Sequence, residues 1–195
     1  MEKEDPYSPA RIADRMKIQD ALYRWCRSVD RLDYKGMREA FHPDGMDNHG
    51  IFNGSADGLV EWIRDRHKNI PFSMHSISNI LIEFAGPDLA LVETYIRTVQ
   101  RYPADAMASL AQLSGGKVGT SEFGSDLMTC SRYLDRFERR SGEWRIHRRT
   151  VIQDWKQMVD VAPNAPQPLP GWTVGRRDSE DPVFKARREL GLESV

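Results

Sequence analysis

The feature of this sequence that most constrains its fold is a change of hydrophobic period near residue 72. Before this point, apolar residues recur every three or four positions in three separate segments, which is the spacing of amphipathic helices. After it, four long segments alternate apolar and polar residues, which is the spacing of strands with one buried face. Helices followed by strands favour an α+β domain in which the helices pack on one face of an antiparallel sheet.

Local signals place the three helices. Ser8, Asp33 and Ser55 each stand just before a helical pattern and are predicted N-caps, because their side chains accept hydrogen bonds from the first backbone N–H groups of a helix. The first helix is predicted to end near Asp30. The second is predicted to end at a Pro-Asp-Gly turn over residues 43–45.

A short strand is predicted after the second helix, followed by four long strands in an antiparallel meander. A sheet that wraps around helices must curve strongly, and it naturally leaves a conical pocket. The predicted strands cover residues 46–53, 73–84, 89–101, 127–139 and 143–155.

Two segments do not fit this core pattern. Residues 103–125 form a connection long enough to be a functional lid or a mobile loop, with a short helix predicted over 104–113. Residues 163–171 carry four prolines and are predicted to run extended, ahead of a short basic helix. We therefore expect a domain over residues 1–160 and a C-terminal arm over 161–195.

Charge and composition argue against several classes of partner. The 28 Lys and Arg residues nearly balance the 29 Asp and Glu residues, which gives no electrostatic reason to expect nucleic acid or an anionic membrane as partner. No apolar run approaches the roughly 20 residues of a membrane span. The N-terminus is charged and lacks a signal-peptide core, so a cytoplasmic protein is expected. The cysteines and histidines have no metal-ligand spacing, and the histidines other than His75 are expected at the surface or in turns.

One pair of residues points to a reaction. Asp30 lies on the apolar stripe of the first helix, where a carboxylate needs a structural or chemical reason. His75 lies in the first strand of the meander. A histidine beside a buried carboxylate can act as a general base near neutral pH, while the carboxylate holds its tautomer.

The order of these patterns resembles a known family. The runs 18–30, 33–34 and 41–45, the strand around 75–79 and the hairpin 133–146 together resemble the SnoaL-like group of the nuclear transport factor 2-like superfamily. The branch most similar to this chain includes scytalone dehydratase, bile acid 7α-dehydratase and hexachlorocyclohexane dehydrochlorinase. The resemblance implies a cone-shaped domain with three N-terminal helices packed on a strongly curved, mainly antiparallel sheet.

The resemblance also implies catalytic residues. Members of that branch use an Asp–His dyad to remove a proton during elimination, with no metal or cofactor. The family's Asp falls on Asp30 and its His on His75. A pocket arginine on the last strand falls on Arg149, although Arg148 beside it leaves the register open. A solvated strand arginine is the alternative for Arg149.

Five further residues are candidates for substrate binding. A tyrosine that some dehydratases carry on the first helix has no clean counterpart: Trp25 lies near its place and Tyr23 lies two residues earlier. Tyr23 is spaced to share a helix face with Asp30, with a core aromatic as the alternative role. Asn79 shares the strand face of His75 if no bulge intervenes. Tyr95 and Tyr133 complete the set.

The expected function is a cofactor-independent lyase that performs a dehydratase-type β-elimination on a hydrophobic cyclic small molecule. One alternative is an isomerase or cyclase that uses the same base. Another is a non-catalytic module, either a ligand-binding domain or a subunit like the small subunit of ring-hydroxylating dioxygenases. The family resemblance implies a homo-oligomer, either a dimer or a trimer.

Overall fold

The computed structural model describes residues 5–192. Its helices are α1 (Pro9–Arg31), α2 (Tyr34–Glu39), α3 (Ala56–His67), α4 (Met107–Ser114) and α5 (Pro182–Glu189), with a single 3₁₀ turn (Ala104–Ala106) before α4. Its strands are β1 (Phe41–Asn48), β2 (Asn53–Ser55), β3 (Phe72–Gly86), β4 (Leu89–Tyr102), β5 (Ser125–Arg140) and β6 (Glu143–Asp160).

The three predicted caps are present. The Ser8 hydroxyl accepts from a backbone N–H in the first turn of α1 over 3.3 Å. The Asp33 carboxylate does the same for α2 over 3.0 Å, and the Ser55 hydroxyl for α3 over 3.2 Å. Each of these helices therefore begins where a short polar side chain satisfies an N–H group that has no partner inside the helix.

The six strands form one curled sheet that does not close, in the order β2-β1-β6-β5-β4-β3. All neighbours are antiparallel except β1 and β6, which are parallel. The core lies between α1–α3 and the sheet, and includes Leu22 and Val29 from α1 with Val92, Phe137 and Ile146 from the strands. The predicted α+β fold, with helices packed on a curved and mainly antiparallel sheet, is confirmed.

The Pro-Asp-Gly segment is not the turn that the sequence predicts. Helix α2 ends at Glu39, and β1 begins at Phe41, which is almost completely buried. Residues 42–45 form a bulge inside β1, because the pairing with β6 shifts register between Phe41 and Met46. The buried ring of Phe41 and the parallel pairing outweigh the local turn preference. The predicted strand over 46–53 is split accordingly between β1 and β2.

The C-terminal segment crosses the end of α1. Residues 161–181 contain neither helix nor strand, and α5 begins where the Asp181 carboxylate accepts from the N–H of Val183 over 3.0 Å. Asp181 also pairs with Arg31 in the last turn of α1 at 3.0 Å. No helix within residues 5–192 has both the length and the apolar character needed to cross a bilayer.

Candidate active site

Asp30 and His75 are in contact. Asp30 lies in the last turn of α1 and His75 near the start of β3, and both side chains are about nine-tenths buried. The Nδ1 atom of His75 lies 2.6 Å from Oδ1 of Asp30, and the backbone N–H of His75 donates to Oδ2 over 2.8 Å. The end of a helix is thereby fixed to the first residues of a strand that lies 45 positions later in the sequence.

This geometry assigns the tautomer of the imidazole. An ionised carboxylate only accepts hydrogen bonds, so the Nδ1 atom of His75 carries the proton and donates it to Asp30. In the neutral form of this ring, Nε2 keeps its lone pair. Within residues 5–192, Nε2 has no hydrogen-bond partner. An unprotonated ring nitrogen without a partner is what a general base requires.

A chain of buried hydrogen bonds holds Asp30 from the other side. The Ser73 hydroxyl donates to Oδ1 of Asp30 over 3.0 Å, and the Gln100 amide donates to the Ser73 oxygen over 3.2 Å. The Tyr102 hydroxyl donates to the Gln100 carbonyl oxygen over 2.7 Å, and Arg66 donates to Tyr102 over 3.2 Å. Burial raises the pKa of Tyr102, so it remains a neutral donor. Each member of the chain fixes the orientation of the next.

Arg177, from the C-terminal segment, covers the same end of α1. Its guanidinium donates to the carbonyl oxygens of Val29, Asp30 and Ile70 over 2.8–2.9 Å and to Nδ1 of His67 over 3.1 Å. Burial lowers the pKa of Arg177 to about 10. Burial, together with the charges of Arg177 and Arg66, also holds the pKa of His67 well below its ordinary value, so His67 is a neutral acceptor.

Arg149 is in the core and not in solvent. It forms two hydrogen bonds with the Asp135 carboxylate, of 2.8 and 2.7 Å, and both side chains are fully buried. Its guanidinium carbon lies 3.8 Å from the ring centre of Tyr133 and 4.9 Å from that of Trp25. Burial acts to lower the pKa of Arg149, but the charge and hydrogen bonds of Asp135 raise it, so the guanidinium stays charged. Its Nη1 atom is buried and has no hydrogen-bond partner.

A second Asp–His pair lies at the end of β1, with Asp47 in the strand and His49 just after it, where the sequence did not lead us to expect one. The His49 ring donates from Nδ1 to Oδ1 of Asp47, and the Asp47 side chain is fully buried. Asp47 is the register partner of Arg149 on β6, and its Oδ2 atom has no hydrogen-bond partner. The two-residue spacing, which places Asp47 and His49 on one face of a strand, was the available signal. His67 and His42 are buried as well, which corrects the expectation that these histidines lie at the surface.

Two of the predicted substrate-binding residues, Trp25 and Tyr133, lie in the interior of the protein beside Arg149. Trp25 and Tyr133 are both almost completely buried, and the Trp25 indole N–H donates to the Tyr133 hydroxyl over 3.3 Å. With Arg149 they occupy the interior of the curled sheet, where the sequence predicted a conical pocket. Two cavities of about 840 and 390 Å³ instead lie on the outer side of α1, and neither is lined by Asp30 or His75.

Asn79 and Tyr95 point away from this core. Ser78 and Asn79 together oppose the single residue Tyr95, so β3 carries a bulge that interrupts the alternation starting at His75. Asn79 is exposed, and Tyr95 is 45% exposed on the outer face of β4. The prediction that Asn79 shares the face of His75 is wrong, because the bulge adds one residue between them.

Tyr23 is also outside the core. It is 52% exposed, although Asp30 lies seven residues later on almost the same side of α1. Both residues lie at the edge of the buried stripe. At Asp30 that edge is covered by Ser73 and His75 of β3 and by Arg177. Tyr23 instead borders the smaller cavity.

Comparison with known proteins gives a family and a fold. A family model described as a SnoaL-like domain matches residues 10–150. No curated protein sequence matches the chain. Within residues 5–192, no group of three or more His, Cys, Asp or Glu side chains is arranged to hold a metal ion.

Several solved structures have the same fold at low sequence identity. A candidate scytalone dehydratase from Novosphingobium aromaticivorans DSM 12444 is 16% identical, with 83% of this chain and 96% of that chain covered and a TM-score of 0.61. Hexachlorocyclohexane dehydrochlorinase LinA-type3 from Novosphingobium barchaimii LL02 is 16% identical, with coverages of 79% and 97% and a TM-score of 0.62. The Kfla4162 protein from Kribbella flavida is 13% identical, with coverages of 75% and 94% and a TM-score of 0.60.

Proposed function

The chain belongs to the SnoaL-like domain family, and on that premise we propose that it is a lyase in which His75 removes a proton from a hydrophobic cyclic small molecule. The contact of 2.6 Å between His75 Nδ1 and Asp30 Oδ1 carries the proposal. It leaves Nε2 of His75 as the basic atom. The dehydrochlorinase and the candidate dehydratase with the same fold support an elimination as the type of reaction.

The proposed step is a β-elimination. Nε2 of His75 takes a proton from a carbon atom, and the electron pair of that C–H bond becomes the second bond of a C=C double bond. The neighbouring carbon releases its leaving group, which departs with the electrons of the broken bond. The Asp30 carboxylate stabilises the imidazolium that forms. Assistance by a general base contributes about 10²–10⁴-fold to such a reaction.

Arg149 and the second Asp–His pair complete the proposal. In the sheet order, β6 with Arg149 lies between β1, which ends one residue before His49, and β3, which carries His75. The charged Arg149, held by Asp135, stabilises negative charge that builds up on the substrate or leaving group. A hydroxyl group leaves as water only after it gains a proton. The proposed donor is His49 as an imidazolium, protonated on both ring nitrogens, which gives up the proton on Nε2 and keeps the one on Nδ1 that contacts Asp47.

Substrate entry requires movement of the side chains that fill the interior. Trp25 and Tyr133 are the proposed substrate-binding residues, because they pack against the guanidinium of Arg149. An aromatic wall of this kind suits an apolar ring. Rotation of Trp25 away from the Tyr133 hydroxyl breaks one hydrogen bond of 3.3 Å and opens space beside Arg149.

The test is a product assay on a panel of cyclic compounds with a leaving group β to an activated C–H bond, with scytalone and hexachlorocyclohexane included. Mass spectrometry should find a product lighter by one water or one hydrogen chloride. His75→Gln and Asp30→Asn should abolish its formation, while Asp33→Asn, which keeps the cap of α2, should not. A product of unchanged mass indicates an isomerase. Turnover that survives in His75→Gln contradicts the proposed base.

A further inference from the structure

A second candidate site lies on the outer side of α1, away from Asp30 and His75. The cavity of about 840 Å³ is bounded by α1, α2, the turn between β5 and β6, and α5. The cavity of about 390 Å³ adjoins it, and both are lined by Arg24, Arg27 and Arg187. We propose that this arginine cluster binds the phosphate group of a small molecule.

The lining of the larger cavity is strongly cationic. Eight cationic and three acidic side chains line the larger cavity, although the whole chain has a net charge of −1. Four of the eight cationic side chains have acidic partners: Lys35 pairs with Glu39, Arg145 with Glu143, Arg31 with Asp181 and Arg188 with Glu180. The other four, Lys17, Arg24, Arg27 and Arg187, form no ion pair within residues 5–192, so their positive charge is not neutralised by a direct acidic partner.

The three arginines of the cluster have no side-chain partner in the part of the chain that the structure describes. Within residues 5–192, Arg24, Arg27 and Arg187 form no ion pair and donate no side-chain hydrogen bond. Asp20, which lines the smaller cavity with them, forms no ion pair either. The Nε atom of Arg27 is buried and has no hydrogen-bond partner. A buried donor without an acceptor is costly, and a bound anion removes that cost.

The positive charges of the cluster also repel one another. Burial lowers the pKa of Arg27, and the charge of Arg187 lowers it further; Asp33 opposes this effect, and Arg24 adds a smaller lowering. Two of these arginines come from consecutive turns of α1 and the third from α5. Docking of α5 therefore brings like charges together, an arrangement that a multiply charged anion between them stabilises.

The chemistry of the lining selects the class of ligand. Arginine presents a planar set of N–H donors that matches the oxygens of a phosphate group. The apolar side chains of Leu32 and Phe184 line the same cavity and can contact the organic part of the molecule. The volume of about 840 Å³ is within the range of about 300–1,000 Å³ that is typical of small-molecule sites. A small phosphate ester fits these features better than an extended polymer.

Calorimetric titration of the full chain with inorganic pyrophosphate at constant ionic strength tests the proposal. We expect saturable binding that Arg27→Gln and Arg187→Gln each weaken by about tenfold or more, because each removes charge-assisted hydrogen bonds. Arg97→Gln, at an exposed position on β4, is the matched control and should bind as wild type does. Absence of binding, or equal weakening by Arg97→Gln, overturns the proposal.

Two further measurements separate this site from a structural role and from the proposed lyase site. Without ligand, Arg187→Gln should not lower the Tm, since it relieves repulsion, and pyrophosphate should raise the Tm of wild type but not of this variant. A lower Tm for Arg187→Gln, with no effect of pyrophosphate on wild type, overturns the proposal.

The Asp30→Asn variant tests whether the two sites are separate. It should bind pyrophosphate as wild type does, and weaker binding by that variant contradicts a separate site.

Discussion

His75 donates two hydrogen bonds to Asp30, one from its backbone N–H over 2.8 Å and one from its ring Nδ1 over 2.6 Å. The first fixes the position of the strand, and the second fixes the rotation of the imidazole. A histidine that is held at both its backbone and its ring loses little further freedom in a reaction. The proposed catalytic role depends on this double contact.

Ser73 should matter because it holds the oxygen of Asp30 that also contacts the His75 ring. Ser73→Ala removes that hydrogen bond, at a cost of about 1–3 kcal/mol for a buried acceptor, and should lower kcat by about tenfold or more. KM should change little. Ser76→Ala, at an exposed position of the same strand, is the control in the product assay. Equal rates for Ser73→Ala and Ser76→Ala contradict a positioning role.

The pair formed by Arg149 and Asp135 should show strong energetic coupling. Arg149→Leu leaves the charge of Asp135 buried without its partner, so the free energy of unfolding should fall by about 3–5 kcal/mol in urea titrations. The double variant Arg149→Leu with Asp135→Leu removes both charges and should recover most of that loss. A double variant less stable than Arg149→Leu alone contradicts this interpretation.

The stability of the protein should fall on mild acidification because of His67. Its pKa in the folded state lies well below the ordinary value of 6.5. At a pH between these two pKa values, His67 is protonated in the unfolded chain but not in the folded one. The free energy of unfolding therefore decreases as the pH falls below 6.5, and above 6.5 His67 makes it neither rise nor fall. Urea titrations from pH 7.5 to 5 measure the slope. His67→Gln should flatten it, and an unchanged slope contradicts the prediction.

Arg177 should hold the C-terminal segment against the end of α1. Arg177→Ala removes hydrogen bonds to three backbone carbonyls and to His67, so cleavage by a protease within residues 161–176 should become faster. Arg176→Ala is the matched control, because the Arg176 side chain is exposed and pairs only with Asp178 among the described residues. Equal cleavage of the two variants contradicts this role.

The sequence predicted the parts of the fold that depend on neighbouring residues. The caps Ser8, Asp33 and Ser55 act within three residues of themselves, and the long strands have a clear alternation. The bulge before Ile80 has no local signal, so the face of Asn79 was misplaced. The prediction of a turn at residues 43–45 was wrong for a similar reason: it relied on the local turn preference, and these residues instead form a bulge within β1.

The site was predictable only where a family pattern existed. Asp30 and His75 were paired through the resemblance, whereas Arg177 reaches Asp30 from 147 residues away and gives no signal in the sequence. The contact between Arg149 and Asp135 depends on the register of β5 and β6, which periodicity does not fix. Long-range contacts of buried charged groups are therefore the part that the structure adds.

The tautomer of His75 tests the central claim most directly. Two-bond ¹H–¹⁵N NMR spectra of the full chain near pH 7.5 distinguish a protonated ring nitrogen from an unprotonated one. We predict that the neutral ring carries its proton on Nδ1 and a lone pair on Nε2, and that Asp30→Asn disturbs this tautomer while Asp33→Asn does not. A ring that carries its proton on Nε2 in the wild-type protein would contradict the proposal that His75 is the base.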